Sequence, residues 1–493
     1  MKSLFQLLPE SECLASKLSL NLNIGHLTSD SRQVKPGSLY FAISGTKVDG
    51  HDFIPAALKN GAVAVVVENA HAFGQHPNTL HVRSSRRALA LAANAFYDEP
   101  SRKFSLVGVT GTNGKTTTSY LLRAVWDKLQ IRSGVLGTVE YHIGEETLPS
   151  SLTTPDPVEL QRLFDRMVRA NVETAVIEVS SIALDQERVS GTHFDIAIFT
   201  NLTQDHLDYH GTLEKYYSAK RRLFTDFALS HAVINIDDPY GARLAREIHG
   251  VELFSFSLQD PSAVFFVEKA QFEKQGTTAQ VCFRNERMTL KTPLIGRHNL
   301  YNALGVFAAG KALGLNASSL IEALAEAQGA PGRLERVASH PKNPHVFVDY
   351  AHTPDALLNV LKALKALNED GTSRMITVFG CGGDRDKTKR PLMAEIAASA
   401  SDVTIVTSDN PRTESPEQIL NDIEAGIRRG TTEYHREVDR KKAIRLALSL
   451  ARPGDLVLVA GKGHETYQII GKEYFPFDDR QVIREYYDHR QTT

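Results

Sequence analysis

Short runs of aliphatic and β-branched residues, separated by longer stretches with helical spacing, recur along most of the chain. Such runs are typical of strands buried on both faces, and the stretches between them are typical of amphipathic helices. Regular alternation of the two predicts an α/β fold with mostly parallel sheets.

Changes in this pattern divide the chain into three blocks, which we interpret as domains 1–101, 102–332 and 333–493. The first block has predicted strands at 38–43 and 62–67 and a helix at 84–96. The second has predicted strands at 106–110, 174–179, 196–201 and 232–236, then shorter strands and turns from 251 to 294. The third has predicted strands at 346–349, 375–380, 403–407 and 456–460. We expect an N-terminal α/β domain, a central domain with a mostly parallel sheet, and a C-terminal Rossmann-like α/β domain.

Composition limits the classes of protein that the chain can represent. A length of 493 residues, with 42% hydrophobic and 23% charged residues, fits an ordinary globular protein of about three domains. The formal net charge of -2 provides no global basic field, so we expect no nucleic-acid partner. The three cysteines are far apart, which favours a reducing compartment over disulfides or a cysteine zinc site. We find neither a signal peptide nor an apolar run of membrane-spanning length, so we expect a cytoplasmic protein.

A glycine-rich turn follows the predicted strand at 106–110 and precedes a predicted helix. Its sequence, from Gly111 through Thr112, Asn113, Gly114, Lys115 and Thr116 to Thr117, is typical of a phosphate-binding loop. Backbone N–H groups and a helix N-terminus would face the anion, Lys115 would reach the outer phosphates, and Thr116 could ligate Mg2+. The longer pattern G-x-x-x-x-G-K-[ST] is not met because Val109 occupies its first position, so a chance Gly-Lys-Thr in a turn is the alternative.

Polar side chains follow the next two predicted strands of the second block. Glu178 could reach a metal beside the phosphate loop, or it could be incidental to a helix that Ser180 or Ser181 caps. Farther on, Asp205, His206, Asp208 and His210 cluster after a strand, where a metal site and an Asp-capped helix start are both open.

Lys220 lies in a basic helical stretch of the second block. On composition alone this stretch is interpreted as a solvated helix face.

The third block repeats polar motifs at its predicted strand ends. They are Asp349 to His352, Gly380 to Asp384, Asp409 to Arg412 and Gly461 to Glu465. Because ligands of open α/β sheets bind beyond the carboxyl ends of the strands, four such motifs predict a second ligand-facing edge.

Taken together, these motifs resemble those of the Mur ligases of peptidoglycan synthesis. The resemblance rests on Gly-Thr-Asn-Gly-Lys-Thr, Glu-Val-Ser-Ser, Thr-Asn-Leu-Thr-x-Asp-His-Leu-Asp-Tyr-His, and Ala-Lys before Leu-Phe. In the first block, Thr28 to Arg32, Pro36-Gly37 and Asp49 to Phe53 are similar to a nucleotide-sugar domain of the family. The resemblance covers essentially the whole chain.

The resemblance implies an ATP-dependent amide ligase with ATP and Mg2+ as cofactors. ATP would phosphorylate the carboxylate of UDP-N-acetylmuramoyl-L-alanyl-D-glutamate. An amine of meso-2,6-diaminopimelate would attack the acyl phosphate, giving an amide, ADP and phosphate. The N-terminal domain would bind UDP, the central one ATP, and the C-terminal one the amino acid. We expect a monomer that makes a cell-wall precursor, and so serves cell shape and division.

The resemblance also implies roles for individual residues. Lys115, Glu178, His206 and Lys220 would be the catalytic residues. Thr116 and Glu178 would hold one Mg2+, and His206 would help hold a second. Lys220 would be carbamylated and would become an anionic oxygen ligand of that second metal, which reverses its interpretation as a solvated residue.

Three binding sets are implied in the same way. The ATP set is Gly111, Thr112, Asn113, Gly114, Lys115, Thr116, Thr117, Asn299, Asn302, Arg333 and Asp349. The set for the UDP-linked substrate is Ser29, Ser31, Thr46, Lys47, Val48, Thr153, Thr154, Ser180, Gln186 and Arg188. The set for diaminopimelate is Arg390, Asp409, Asn410, Pro411, Arg412, Gly461 and Glu465. The chain departs from the family at Ile182, where His is frequent, and at Leu152, where Asn is frequent.

Other functions remain open on the sequence. A ligase that adds L-lysine at the same step would share nearly every motif, although Arg412 favours diaminopimelate because a distal carboxylate needs a cation. The relative that adds D-Ala-D-Ala lacks Asp-Asn-Pro-Arg, and a folylpolyglutamate synthase would leave the first block unexplained. A P-loop nucleotide switch or scaffold is the alternative from a different class.

Overall fold

The computed structural model describes residues 1–19, 21–45, 48–76, 78–284, 286–338, 344–368, 371–427 and 433–491. The chain forms two compact units. The first contains Met1–Phe266, Cys282–Asn285 and Leu304–Ala323, and the second contains Val267–Val281, Glu286–Ala303 and Leu324–Thr493.

The first unit begins with an α/β layer. Its strands are β1 (Lys2–Ser3), β2 (Cys13–Ser16), β3 (Asn23–Ile24), β4 (His26–Thr28), β5 (Ser38–Phe41), β6 (Ala62–Val67) and β7 (Thr79–Val82). Its helices are α1 (Leu4–Leu7), α2 (Ile54–Lys59), α3 (Ala70–Gln75) and α4 (Ser85–Phe96), with 3-10 turns at Glu10–Glu12, Ser31–Gln33 and Gly50–Phe53. A five-stranded sheet has the order β2-β7-β6-β5-β4, in which β4 to β7 are parallel and β2 is antiparallel to β7. Leu39, Phe41, Val66 and Leu89 form part of its core.

A larger sheet follows in the same unit, after a 3-10 turn at Pro100–Arg102. Its strands are β8 (Ser105–Thr110), β9 (Ser133–Leu136), β10 (Glu140–Ile143), β11 (Glu146–Pro149), β12 (Thr174–Glu178), β13 (Ile196–Phe199), β14 (His231–Asn235) and β15 (Glu252–Ser257). Its helices are α5 (Lys115–Lys128), α6 (Pro157–Arg169), α7 (Ser181–Asp185), α8 (Leu207–His210), α9 (Leu213–Thr225) and α10 (Pro239–Glu247). These strands have the order β11-β10-β9-β12-β8-β13-β14-β15, and the run from β9 to β15 is parallel.

The register of this sheet aligns the strand ends that carry the predicted motifs. Glu178 on β12 lies opposite Val109 on β8, and Phe199 on β13 lies opposite Thr110. The phosphate loop therefore leaves the sheet between the ends of β12 and β13. The predicted strands of the second block are confirmed within one or two residues at most ends.

The stretch of chain that is divided between the two units adds three strands and two helices. They are β16 (Phe265–Glu273), β17 (Gly276–Phe283), β18 (Glu286–Thr292), α11 (Arg297–Ala312) and α12 (Ala317–Glu326).

The second unit contains a six-stranded sheet. Its strands are β19 (Glu335–Ala338), β20 (His345–Asp349), β21 (Met375–Phe379), β22 (Val403–Val406), β23 (Glu433–Arg436) and β24 (Leu456–Ala460), and a hairpin follows from β25 (Tyr467–Ile470) and β26 (Glu473–Pro476). Its helices are α13 (Pro354–Lys365), α14 (Lys389–Ala400), α15 (Pro416–Glu424), α16 (Arg440–Leu450) and α17 (Asp479–Gln491). The order is β19-β20-β24-β21-β22-β23, and all pairs are parallel except β19 with β20.

Alternate side chains of this second sheet enter two separate cores. Phe347, Phe379 and Leu458 pack with α13, α14 and α15, whereas Val348 and Val459 pack with α16 and α17. Helices on both faces of a mostly parallel sheet define the doubly wound architecture that the sequence predicts.

The predicted boundary near residue 101 lies inside the first compact unit. The bounds 1–101, 102–332 and 333–493 therefore stay a prediction. Within the described part of the chain, we find no helix with the length and apolarity needed to cross a bilayer.

Candidate active site

The predicted phosphate loop lies between the end of β8 and the start of α5. Gly111 has φ +150°, and a Cβ there would collide with the Thr200 hydroxyl, so only glycine fits. Gly114 takes the left-handed conformation as the N-cap of α5. As the N-cap of α5, Gly114 has no side chain that could cap the first amides of the helix, and a helix N-terminus of this kind is suited to binding an anion.

Two lysine side chains meet at one carbonyl of this loop. The ammonium groups of Lys115 and Lys220 each donate to the Gly111 carbonyl oxygen over 2.8 Å, and Lys115 also donates to the Thr112 carbonyl over 2.9 Å. Lys220 is almost fully buried and lies 4.6 Å from the Tyr216 ring centroid. Burial lowers the pKa of Lys220 well below its usual range, and the charge of Lys115 lowers it further. The interpretation of Lys220 as a solvated residue is therefore wrong.

Glu178 lies at the end of β12 and is completely buried. Its carboxylate accepts hydrogen bonds from the Thr116 hydroxyl over 3.0 Å, the Thr138 amide over 3.0 Å and the Thr138 hydroxyl over 2.9 Å. The helix cap that was the alternative also forms, because Ser180 accepts from the Ala183 amide at the start of α7. Glu178 takes no part in that cap. It joins the phosphate loop instead.

The acidic and histidine cluster after β13 divides into two parts. His206 is half-exposed, has φ +52°, and lies 3.5 Å from the Asp205 carboxylate. His210 turns inward, where its Nε2 lies 2.9 Å from the Ser181 hydroxyl and burial lowers its pKa. His206 and Lys220 both contact the Tyr216 ring, whereas Asp208 remains exposed.

The donor set beside the loop has the chemistry that Mg2+ prefers, since Thr116 in the first turn of α5 and Glu178 at the end of β12 provide oxygen ligands. Across the described ranges, no group of three or more His, Cys, Asp or Glu side chains could hold a metal ion. A metal that binds here would therefore depend on the Thr116 hydroxyl and on ligand oxygens.

The described residues predicted for the UDP-linked substrate lie in loops and at helix ends of the first unit. Arg188 is more than half buried, and burial lowers its pKa. It donates to the Gln186 side-chain oxygen over 2.7 and 3.2 Å and to the Thr154 carbonyl over 3.0 Å. The described residues give it no carboxylate partner, so its charge is available to an anionic ligand.

The other residues predicted for the UDP-linked substrate make separate local contacts or are exposed. The Thr154 hydroxyl donates to the Glu178 carbonyl and accepts from the Ser180 amide, and the Thr153 and Thr138 hydroxyls are 3.1 Å apart. Ser29 and Val48 are exposed, and Ser31 begins a 3-10 turn. Thr46 and Lys47 lie outside the described residues. Of the two departures from the family, Leu152 is exposed and Ile182 is partly buried in α7.

Helix α4 connects the two parts of this set. Arg86 donates to the Ser44 carbonyl over 2.9 Å, close in sequence to Val48, and Arg87 lies 3.8 Å from Glu187, which precedes Arg188. Sequence analysis did not select either arginine, because a basic pair at a helix start carries no distinguishing pattern.

The predicted ATP residues of the second unit form two small clusters. Asn299 donates to the Ile295 carbonyl over 3.0 Å, and Asn302 donates to the Asn299 side chain over 3.2 Å. Asp349 is buried at the end of β20 and accepts from the amides of Leu334 and Ala351.

The charge of Arg333 acts on Asp349, and the same guanidinium lies against the ring of Tyr350. Burial raises the pKa of Asp349, although Arg333 opposes the shift. The Arg333 guanidinium lies 4.9 Å from the Tyr350 ring centroid, and its buried Nε has no hydrogen-bond partner among the described residues.

The predicted amino-acid residues meet at the ends of β22 and β24. A Cβ on Gly461, which has φ +117°, would press on the Asp409 carboxylate, so the two strand ends are in contact. The Asn410 side chain donates to Glu465 over 2.9 Å, and Pro411 is buried beside it.

Arg412 has φ +51° and exchanges backbone hydrogen bonds with the β25–β26 hairpin. Its guanidinium donates to the Gly383 carbonyl over 2.8 Å. Among the described residues it forms no ion pair, and its hydrogen-bond partner is this neutral carbonyl. A ligand carboxylate could therefore supply the missing charge.

Arg390, unlike Arg412, is paired with carboxylates. It is completely buried and donates to Glu414 over 2.9 and 3.1 Å and to Asp422 over 2.7 Å. Burial opposes its charge, yet these carboxylates raise its pKa, and Arg390 in turn holds the pKa of Glu414 at about 2. Because two carboxylates already neutralise it, its direct contact with diaminopimelate stays a prediction.

A buried ion pair supports this edge of the sheet. Arg440 and Asp479 are both completely buried, and the guanidinium donates to both carboxylate oxygens over 2.8 and 2.7 Å. The same guanidinium donates to the carbonyls of Ser408 and Ala460, which directly precede Asp409 and Gly461. This pair does not stand out in the sequence, because an arginine at a helix start resembles a solvated residue.

We expect Arg440→Ala to lower the free energy of unfolding by about 3–5 kcal/mol, because Asp479 would keep a buried, uncompensated charge. Urea denaturation followed by circular dichroism measures the change. Arg445→Ala, at an exposed position of the same helix, is the control and should change the stability by less than about 0.5 kcal/mol. Equal effects of the two substitutions would contradict the prediction.

Three family models match consecutive parts of the chain. They are described as Mur ligase family, catalytic domain (residues 23–97), Mur ligase middle domain (109–310) and Mur ligase, glutamate ligase domain (332–463). Together with the phosphate loop and the strand-end site, they define a ligase with three α/β domains, and the chain belongs to the Mur ligase family.

Individual relatives share one specific name. The UDP-N-acetylmuramoyl-L-alanyl-D-glutamate--2,6-diaminopimelate ligase of Geobacter metallireducens is 47% identical over 490 residues, which covers 94% of each chain. The enzyme of that name from Geobacillus thermodenitrificans is 45% identical over 471 residues, which covers 94% of this chain and 95% of its own. A solved structure of a ligase with that name is 33% identical, with a TM-score of 0.75 and 100% coverage of both chains.

Proposed function

We propose that this protein ligates meso-2,6-diaminopimelate to UDP-N-acetylmuramoyl-L-alanyl-D-glutamate with hydrolysis of ATP to ADP. The observation that carries the choice of amino acid is Arg412, a cation whose contact is a peptide carbonyl, at a strand-end site with Glu465 and Asp409. The shared name of relatives that are 45–47% identical supports the same reaction.

The proposed chemistry needs a carboxylate to become an electrophile. An oxygen of the D-glutamyl carboxylate of the UDP-linked substrate attacks the γ-phosphorus of ATP. The bond between that phosphorus and the oxygen that bridges to the β-phosphate breaks, and ADP leaves. The amine of diaminopimelate then attacks the acyl carbon, phosphate leaves with the bonding electrons, and the nitrogen loses a proton. Because two anions must approach in the first step, cationic groups at the phosphate loop are essential.

We assign the binding of ATP to the phosphate loop. The uncapped amides at the start of α5 and the Lys115 ammonium would bind the phosphates of ATP. Thr116 and Glu178 would hold Mg2+, which neutralises phosphate charge when bound.

We further propose that Lys220 is carbamylated and that it helps hold a second Mg2+ together with His206. Burial of Lys220 and the nearby Lys115 charge favour a neutral amine, the form that can add CO2. Both Lys220 and His206 contact Tyr216, which supports their acting at one place.

The UDP-linked substrate would bind along the first unit. Arg188, which has only neutral partners among the described residues, would pair with an anionic group of that substrate, and Thr154 and Ser180 would line the path toward Glu178. Thr46, Lys47, Ser29, Ser31 and Val48 are proposed on the resemblance.

We also propose that the protein acts in the cytoplasm as a monomer and serves cell-wall formation, cell shape and cell division. All three cysteines are free thiols, as expected in a reducing compartment.

The test is an assay of phosphate release with ATP, the UDP-linked dipeptide and a panel of amino acids. We expect strong preference for meso-diaminopimelate over L-lysine, because lysine would leave Arg412 unpaired at a cost of roughly 1–3 kcal/mol. Arg412→Ala should remove most of this preference, whereas Arg385→Ala, at an exposed arginine nearby, should keep it.

Two outcomes would contradict the proposal. Equal kcat/KM for the two amino acids in the unaltered protein would reject diaminopimelate as the specific substrate. Release of phosphate that is independent of any amine would favour a nucleotide switch over a ligase.

A further inference from the structure

Lys462 is a buried cation in the predicted amino-acid site, and no role is assigned to it above. Its side chain is completely buried, and its ammonium donates to Glu465 Oε2 over 2.9 Å and to Asn410 Oδ1 over 3.0 Å. The ammonium also lies 5.7 Å from the Tyr467 ring centroid. A lysine held this way is a fixed part of the site, unlike a solvated side chain.

The surrounding hydrogen bonds determine which oxygen of Glu465 remains for a ligand. Asn410 Oδ1 accepts from Lys462 and from the Ile469 amide over 2.9 Å, so the Asn410 amide nitrogen must donate to Glu465 Oε2. Glu465 Oε2 therefore has two donors. Within the described residues, Glu465 Oε1 has no hydrogen bond, and it is the oxygen that can accept from a ligand.

The charges of this edge are unequally balanced. Glu465 and Lys462 form a neutral pair. Arg440, the other buried cation nearby, is already paired with Asp479. Arg412 donates to a neutral carbonyl and has no ion pair among the described residues. Asp409, whose carboxylate lies at the same strand ends, is a further anion of this edge, so Arg412 and Asp409 are the charges here that have no ion pair among the described residues.

We infer that Lys462 is a specificity-determining residue, because it cancels the charge of Glu465 and so prevents the site from accepting a lone ammonium. This inference rests on the proposed function. The distal end of diaminopimelate carries a carboxylate and an ammonium, which match Arg412 and Glu465 Oε1 together. The side chain of L-lysine brings an ammonium alone, and it would add a third cation beside Arg412 and Lys462, whose charges Asp409 and Glu465 already balance. Such repulsion excludes a wrong substrate without weakening the correct one.

The test compares kcat/KM for meso-diaminopimelate and for L-lysine in variants of the full chain. Lys462→Met removes the charge and retains length, so it should uncover Glu465 and lower the ratio of diaminopimelate to lysine about tenfold to a hundredfold. Lys462→Arg should keep the ratio, and so should Lys472→Met, which alters an exposed lysine of the hairpin turn. Lys462→Met combined with Glu465→Gln should restore discrimination against lysine, because the uncovered anion is then gone.

The ratio of kcat/KM for meso-diaminopimelate to kcat/KM for L-lysine is a readout that general damage to the fold does not change. If Lys462→Met raises the KM of every substrate, ATP included, and leaves the ratio unchanged, Lys462 only supports the fold and the inference is overturned. Lys462→Gln, which keeps a donor for Asn410, answers the same question if the Met variant does not fold. A wild-type chain without preference for diaminopimelate would reject the proposed function itself, whereas a selective wild type with an unchanged variant ratio would reject Lys462 alone.

Discussion

Replacement of Lys115 by alanine is expected to reduce ligation by about a thousandfold or more while the fold stays intact. Lys115 donates to the carbonyls of Gly111 and Thr112, so its ammonium is already held over the phosphate loop. When the carboxylate of the substrate attacks the γ-phosphoryl group, negative charge accumulates on the transferred oxygens. One preorganised cation at that position stabilises the transition state more than the ground state.

The matched control is Lys128→Ala, at the exposed far end of the same helix. Its turnover should equal that of the unaltered protein. Circular dichroism and thermal unfolding of both variants check the fold. Near-normal turnover of Lys115→Ala, with an intact spectrum, would reject the assignment of this turn as the phosphate loop. An equal loss in both variants would mean that the helix, not the ammonium, is the cause.

Local sequence was sufficient for much of the fold. The buried strands β6, β12 and β24 are continuous apolar runs, and their predicted bounds agree with the structure within a residue. The phosphate loop was also predictable, because its glycines, lysine and threonine are adjacent in sequence and their geometry depends on short-range backbone conformation.

Short edge strands were harder to predict. β10 and β11 form an antiparallel extension beside β9, and their residues are a mixture of polar and apolar types. Their pairing is decided by the neighbouring strand, so sequence periodicity alone does not reveal them.

Buried charges were the main failure of pattern reasoning. Lys220 and Arg440 look like solvated residues in the sequence, yet both are almost completely buried. Their partners are distant in sequence or depend on the tertiary fold: Gly111 for Lys220, and Asp479 for Arg440. Composition and periodicity contain no information on such contacts, and for Lys220 only the resemblance to the Mur ligases pointed to a function.

Lys220→Ala is expected to be nearly inactive and to regain part of its activity when formate or acetate is added. In the structure the Lys220 ammonium is buried, donates to the Gly111 carbonyl over 2.8 Å and shares that acceptor with Lys115. Burial and the charge of Lys115 disfavour a second cation at this carbonyl, so Lys220 favours the neutral amine, and its conversion to a carbamate would place an anion beside Lys115. The carbamate would also present anionic oxygens of the kind that Mg2+ binds. A small carboxylate that enters the space left by Lys220→Ala supplies similar oxygens, whereas chloride at equal ionic strength does not, which makes chloride the control.

Mass spectrometry or 13C NMR of the unaltered protein with labelled bicarbonate detects the carbamate independently of activity. Wild-type turnover in both Lys220→Ala and Lys220→Glu, or the absence of a labelled carbamate at saturating bicarbonate, would reject this role for Lys220.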